Sequence, residues 1–129
     1  MKRSTLLLIL GCTLLLVGVF AYFAYQYAVN SSFRISSEEA KQLLQTKQID
    51  LVLDVRTDLE RSTVGFYPNS VHIQSADLEK EMPKNYPNKN IRILAYCNTG
   101  HRARMATDTL HKLGYVNAKY ISSQFTSLQ

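Results

Sequence analysis

The first thirty residues have a different pattern of hydrophobic positions from the rest of the chain. Lys2 and Arg3 precede an uncharged, mostly apolar run from Leu6 to Val29. A run of this length spans the hydrocarbon core of a bilayer as a helix, and the tyrosines near its far end suit the membrane surface. Because the positive charges precede the run, we expect the residues after it to lie outside the cytoplasm.

A cleaved signal peptide is the alternative interpretation of the same run. Val19-Phe20-Ala21 is a passable cleavage site, although no strict A-x-A pattern occurs. We favour a retained anchor because the run is longer than the apolar part of a signal peptide. We therefore expect an anchor or signal peptide over residues 1–30 and a folded domain over residues 31–129. This domain is expected to be membrane-anchored and periplasmic or otherwise extracytoplasmic, or secreted or periplasmic after cleavage.

Beyond residue 31, short apolar runs alternate with segments of helical periodicity. The predicted strands are 33–35, 51–55, 71–73, 91–96 and 118–121, and the predicted helices are 36–45, a short one near 59, 75–82 and 101–113. Ser36 and Glu39 have capping-box spacing, while Pro83 and Gly114 are expected to end the last two helices. Strands alternating with helices predict an α/β fold with a central parallel sheet flanked by helices on both faces.

Cys97 lies where the fourth predicted strand ends and the last helix begins, which is where sites form in parallel sheets. A helix start directs unpaired N–H groups and a positive dipole end at the preceding loop. Gly100 allows close curvature of the backbone, and His101, Arg102 and Arg104 add positive potential. Such surroundings favour a thiolate and bind anions. The loop therefore suggests a nucleophilic sulfur that acts on a small anionic substrate.

Cysteine content and net charge narrow the function further. The only other cysteine, Cys12, lies inside the apolar run, so the folded domain has no partner for a disulfide. A lone cysteine is either a buried structural residue or a reactive thiol; composition alone favours the first, and the strand-end position favours the second. The net charge is +5, but the basic residues are scattered without an aromatic platform, so we infer no nucleic-acid partner.

Four segments have the order and spacing of motifs from one known family. They are Cys97–Ala103, Leu53–Arg56 with Glu60 shortly after, Gly65–Ile73, and Leu113–Asn117. In this order they resemble the active-site loop, the D-V-R…E segment, the G-H-I-P-G-A-x-x-I segment and the L-G-F-x-N turn of the rhodanese-like sulfurtransferases. The likeness covers nearly all of residues 33–121. Asn69-Ser70 and Ser122-Ser123 depart from the Gly-Ala and Gly pairs usual in this family.

The resemblance implies a thiosulfate sulfurtransferase without metal or organic cofactor. Cys97 would attack the outer sulfur of thiosulfate or a similar donor and pass it, as a persulfide, to a thiophilic acceptor. The predicted substrate-binding residues are those of the loop: Asn98, Thr99, Gly100, His101, Arg102 and Ala103. The expected partners are a small anionic sulfur donor, the acceptor and the membrane, while the oligomeric state stays open.

The side chains around the loop have different expected roles. Arg102 is predicted to bind the donor anion or to hold the loop, and Thr99 to bind substrate or close the turn. Asp54 and Arg56 are expected to brace loops. Arg104 is expected to be a solvated residue of the first helical turn.

Two other functions use the same residues. A phosphatase or arsenate reductase also has Cys and Arg around an anion cradle, but with five residues between them; here four residues separate Cys97 from Arg102. A membrane-tethered binding or sulfur-carrier module would use the fold with little turnover. The altered C-terminus, with Ser122-Ser123 in place of the usual glycine pair and no tryptophan after it, favours this second alternative.

Overall fold

Four short parallel strands lie at the centre of the domain. The computed structural model describes residues 1–129, with strands β1 Leu51–Asp54, β2 Val71–His72, β3 Ile93–Tyr96 and β4 Ala118–Tyr120. The helices are α1 Arg3–Val29, α2 Ser37–Gln45, α3 Asp58–Val64, α4 Leu78–Asn85 and α5 His101–Lys112, with 3₁₀ turns at Ser75–Asp77 and Phe125–Leu128. The strand order is β2-β1-β3-β4 and every neighbouring pair is parallel. The predicted α/β fold class is confirmed.

Hydrophobic cores lie on both faces of this sheet. Every residue of β1 and β3 is buried, as expected for the central strands of a parallel sheet covered on both sides. One core contains Met82 of α4 and Leu110 of α5. The other contains Ala40 of α2 and the side chains of Phe125 and Leu128 from the last 3₁₀ turn. The helices therefore flank the sheet as the pattern predicted.

Local hydrogen bonds explain where two helices begin. The Glu39 N–H donates to Ser36 Oγ at 3.1 Å at the start of α2. A complete capping box starts α3: the Glu60 N–H donates to Thr57 Oγ1 at 3.3 Å, and the Thr57 N–H donates to Glu60 Oε2 at 2.8 Å. This box fixes the Glu60 carboxylate close to the carboxyl end of β1.

Pro83 does not end its helix, contrary to the expectation. It lies inside α4, which continues to Asn85. Its ring removes one backbone hydrogen bond, yet the Tyr86 N–H still donates to the Met82 carbonyl at 2.8 Å. Met82 is fully buried, and Tyr115 Oη donates to the Tyr86 carbonyl at 2.6 Å. Tertiary packing therefore maintains the last turn despite the proline.

The strand predicted over residues 33–35 is reduced to a single parallel bridge between Arg34 and Tyr120. Two hydrogen bonds flank it: the Ile35 N–H donates to the Tyr120 carbonyl at 2.9 Å, and the Tyr120 N–H donates to the Phe33 carbonyl at 3.1 Å. The segment is too short to form a ladder because α2 starts at Ser37.

Helix α1 is long and apolar enough to cross a membrane, although an N-terminal signal sequence has the same properties. Most of its large apolar side chains are exposed. Its last turn contacts the domain: Ala28 is buried, and Tyr120 Oη donates to the Ala28 carbonyl. The helix therefore ends beside α5 and β4, close to the loop that contains Cys97.

Candidate active site

The Cys97 sulfur lies under the first turn of α5. Cys97 follows β3 directly, and only 1% of its surface is exposed. The Gly100 N–H donates to Sγ at 3.1 Å and the Ala103 N–H at 3.4 Å. Since α5 starts at His101, its positive dipole end faces the same sulfur. These preorganised donors stabilise negative charge on Sγ or on a sulfur atom attached to it.

Gly100 is required at its position for two reasons. Its φ is +92°, a conformation that favours glycine. In addition, a Cβ at this position would lie 2.6 Å from Ser122 Cα. The Ser122-Ser123 segment, which departs from the usual glycine pair, therefore packs directly against the loop and helps to set its shape.

Arg102 forms a bidentate ion pair with Glu60 at one side of the loop. Its Nη1 donates to Glu60 Oε2 and its Nη2 to Oε1, both at 2.7 Å. Asn98 Nδ2 donates to the same Oε1 at 2.9 Å. Of the two predicted roles of Arg102, this geometry favours holding the loop, because the guanidinium is already occupied by the carboxylate.

The ion pair changes the protonation of both partners. Hydrogen bonds from Arg102, with smaller contributions from Thr57, lower the pKa of Glu60 to about 2. The same contact raises the pKa of Arg102. In the sequence, Glu60 stands out only as part of a motif, and the predicted substrate-binding residues do not include it. The signal was present as the Thr57–Glu60 capping box, which directs this carboxylate toward the carboxyl edge of the sheet.

A buried ionic network lies at the carboxyl ends of β1 and β3. Asp54 and Arg56 are both fully buried, and Arg56 Nη2 donates to Asp54 Oδ2 at 2.8 Å and to the Gly65 carbonyl at 2.6 Å. Asp54 Oδ2 also accepts from Tyr96 Oη at 2.9 Å and from Arg61 Nη1 at 3.0 Å. Burial raises the pKa of Asp54, but the hydrogen bonds from Arg56 outweigh it and hold that pKa below its usual value. The structure thus places Asp54 and Arg56 as braces of the 65–70 loop.

Thr99 and His101 face the other side of the loop, toward α1. Thr99 is exposed, and the His101 ring lies 5.1 Å from the Tyr27 ring, centroid to centroid. Together with α1 these two residues line a cleft of about 280 Å³. The loop therefore has an ionic neighbour, α3, on one side and an apolar neighbour, α1, on the other.

Arg104 is not a solvated residue, contrary to the expectation. Its Nη1 donates to the Asn30 carbonyl at 3.1 Å and to the Tyr27 carbonyl. Its guanidinium carbon also lies 3.9 Å from the centre of the Tyr27 ring. The last carbonyls of a helix have no intrahelical donors, and Arg104 provides a cationic donor for those of α1. No group of three or more His, Cys, Asp or Glu side chains is arranged to hold a metal ion.

Residues 36–128 match the rhodanese-like domain family, and the chain belongs to this family. Its relatives include a tRNA sulfurtransferase from Blochmanniella pennsylvanica, which is 33% identical over an 84-residue alignment that covers 63% of this chain and 16% of that protein. A putative sulfur carrier protein from Bacillus subtilis is 35% identical over 81 residues, covering 63% of this chain and 42% of that protein. The chain therefore spans less than half the length of these two relatives.

The fold is also similar to that of a human single-domain sulfurtransferase. The two structures have a TM-score of 0.63 at 22% identity, over 75% of this chain and 95% of the human protein. The family match confirms the rhodanese-like family that the four sequence motifs indicated, and the relatives include both a sulfurtransferase and a putative sulfur carrier.

Proposed function

We propose that this chain is an enzyme that moves a sulfane sulfur from thiosulfate, or a similar anionic donor, to a thiophilic acceptor through a persulfide on Cys97. One observation carries the proposal: two backbone N–H groups at the start of α5 point at the Cys97 sulfur. Backbone donors fixed in this way bind an anion without reorganisation. The sulfurtransferases among its relatives support the same reaction class.

The first half-reaction loads Cys97. Its thiolate attacks the outer sulfur of thiosulfate, the sulfur–sulfur bond of the donor breaks, and sulfite leaves with the electron pair. The product is a persulfide whose negative charge is held by loop N–H groups from residues 98–103, among them those of Gly100 and Ala103. In the second half-reaction cyanide, a thiol or a protein acceptor takes the outer sulfur and Cys97 returns to the thiolate.

The loop side chains divide into two groups in this scheme. Asn98 and Arg102 hold the loop through Glu60, so they position the N–H groups. Thr99 and His101 face the mouth of the site, where donor and acceptor enter. The proposed substrate-binding set therefore remains 98–103, with backbone contacts as the main contribution.

A sulfur-carrier module is the second candidate. The similarity to a putative sulfur carrier protein favours it, as does the burial of Cys97, which limits access to the sulfur. A phosphatase or arsenate reductase is disfavoured because Arg102 is paired with Glu60 instead of being free to bind an oxyanion. These functions make different predictions for turnover.

We also propose that residues 1–30 anchor the chain and that residues 31–129, the rhodanese-like domain, lie outside the cytoplasm. The charges of Lys2 and Arg3 before the apolar helix support this orientation. A reporter fused after Gln129 should be active outside the cytoplasm, and a cytoplasmic signal would refute the orientation. Recovery of a mature protein that starts near Tyr22 would instead support cleavage.

The activity is tested on the full chain in detergent, in a Cys12→Ser background so that one thiol remains. Repeated sulfite release with thiosulfate and cyanide, absent in Cys97→Ser, supports the enzyme. A single sulfite per chain without further turnover supports the carrier. Hydrolysis of an aryl phosphate without any sulfite release would overturn both.

A further inference from the structure

The cleft between α1 and the active-site loop has an apolar wall. Its volume is about 280 Å³, and its lining residues are Ala21, Ala24, Tyr25, Ala28, Thr99 and His101. Four of these six residues come from α1, and none carries a carboxylate, an ammonium or a guanidinium group. The cleft therefore connects the surface of the apolar helix with the loop that contains Cys97.

Two features keep this cleft open. The three alanines recur at helical spacing on the face of α1 that looks toward the loop, so no large side chain fills the space. The end of α1 is held by polar contacts: Arg104 Nη1 donates to the Tyr27 and Asn30 carbonyls, and Tyr120 Oη donates to the Ala28 carbonyl. Because these hydrogen bonds fix the position of the helix end, the space between α1 and the loop is a fixed feature of the fold.

The chemistry of the lining discriminates between the two substrates. An anionic donor such as thiosulfate is strongly hydrated, and an uncharged alanine-rich wall offers it no compensation for lost water. The groups that bind the anionic donor are instead the loop N–H groups. A thiol with an apolar substituent gains free energy on the same wall through burial of its hydrocarbon. Such a molecule also partitions into a bilayer and would reach the cleft along α1.

We propose that this cleft is the acceptor subsite and that it binds the hydrocarbon part of a membrane-partitioning alkyl thiol. The inference rests on the proposed persulfide chemistry of Cys97. The acceptor thiol loses its proton to water, and its thiolate attacks the outer persulfide sulfur. The bond between that sulfur and Cys97 Sγ breaks, and its electron pair returns to Sγ. The acceptor leaves as an alkyl persulfide, so no external oxidant or reductant is consumed.

The test measures discharge of a preloaded persulfide. The full chain, as Cys12→Ser in phosphatidylcholine nanodiscs, is loaded with thiosulfate, freed of donor, and mixed with hexanethiol or with 2-mercaptoethanesulfonate at equal thiolate concentrations. We expect hexanethiol to discharge the persulfide about tenfold faster, the scale of discrimination in small apolar pockets. Ala24→Leu fills the cleft and should lower the rate ratio of the two thiols about tenfold. Ala21→Leu is a second filling variant at an exposed position.

Gly11→Leu is the matched control, because it adds a leucine to α1 where a new Cβ meets nothing within 4 Å. It should keep the wild-type ratio. If wild type loads sulfur but both filling variants keep the wild-type ratio, or if the two thiols react equally fast with wild type, the acceptor subsite is wrong and the sulfurtransferase proposal stands. If the wild-type chain takes up no sulfur, the proposed function itself has failed.

Discussion

Two arginine–carboxylate pairs connect the same two strands at opposite edges of the sheet. Asp50 and Arg92 precede β1 and β3 at the amino edge, where Arg92 Nη2 and Nε donate to Asp50 Oδ1 and Oδ2 at 2.7 and 2.9 Å. Glu60 and Arg102 follow these strands at the carboxyl edge, with both contacts at 2.7 Å. Hydrogen bonds from the arginine lower the pKa of each carboxylate to about 2.

The difference lies in what else each carboxylate binds. Asp50 also accepts from the Arg92 N–H, so its contacts stay within the pair. Glu60 also accepts from the Asn98 amide and from Thr57, so it joins the start of α3 to the loop after Cys97. The Asp50–Arg92 pair at the amino edge therefore only joins two segments of the chain. The Glu60–Arg102 pair at the carboxyl edge has the same chemistry but also contacts the active-site loop through Asn98.

The largest expected effect comes from the buried network at the carboxyl edge. Asp54→Asn leaves the Arg56 charge buried without its partner, and we expect the free energy of unfolding to fall by about 3–5 kcal/mol. Asp50→Asn is the matched change at the amino edge and should cost much less, because solvent reaches both partners. Urea unfolding of the full chain in detergent measures both. Equal losses would contradict the distinction between a buried network and a surface pair.

Two glycines with positive φ, Gly100 before α5 and Gly114 after it, allow the backbone at the two edges of the sheet to be compared. A Cβ at Gly100 would lie 2.6 Å from Ser122 Cα, whereas a Cβ at Gly114 would meet only the Lys89 side chain, at 3.8 Å. Gly114→Ala should therefore lower the free energy of unfolding by about 1 kcal/mol through φ strain alone. Gly100→Ala should cost about 3 kcal/mol and reduce sulfite release. If Gly100→Ala matches Gly114→Ala in stability and keeps full activity, the close packing of the loop is wrong.

Glu60→Gln tests whether the ion pair at the carboxyl edge positions the loop. The amide cannot receive both Arg102 donors, so we expect kcat/KM for thiosulfate to fall about tenfold, the effect of losing a charged hydrogen bond. Stability should fall by only about 1 kcal/mol because solvent screens the pair. Asp50→Asn should leave kcat/KM unchanged. A positioning role would be refuted if both variants turned over thiosulfate at the wild-type rate.

The smallest expected effect is on stability in acid. The lowered pKa of Glu60 means that its contribution is fully present above about pH 4.5 and is lost as the pH falls toward about 2. The unfolded state binds the proton first in this window, so acidification destabilises the fold. For Asp50 the window runs from 3.8 to about 2. Urea unfolding at a series of pH values gives the free energy of unfolding as a function of pH. Below pH 4.5 this free energy should fall less steeply in Glu60→Gln than in wild type, and below pH 3.8 it should fall less steeply in Asp50→Asn. A wild-type slope in either variant would refute the contribution of that ion pair.

The fold class and the place of Cys97 could be predicted from local pattern. Alternating apolar runs and helical periodicity predict a parallel α/β sheet, and a cysteine between the end of β3 and the start of α5 must lie at the carboxyl edge. Pro83 shows the limit of local rules, because α4 continues past it to Asn85 and tertiary contacts hold the last turn.

Long-range side-chain contacts could not be predicted in the same way. Glu60 and Arg102 meet across 42 residues of sequence, and the pairing depends on the alignment of β1 beside β3. Arg104 contacts carbonyls of α1 more than 70 residues away, which follows only from where α1 ends in space. Charge pattern showed that these arginines surround the loop but did not show which partner each one binds.

In the proposed reaction, the Cys97 sulfur carries the transferred sulfur atom. Intact-mass measurement of the Cys12→Ser chain after incubation with thiosulfate tests it most directly. We predict a gain of one sulfur atom, its removal by cyanide, and no gain in a folded Cys97→Ser variant. A folded chain that gains no sulfur from thiosulfate or from other sulfane donors would refute sulfur transfer by Cys97 and would favour a binding module instead.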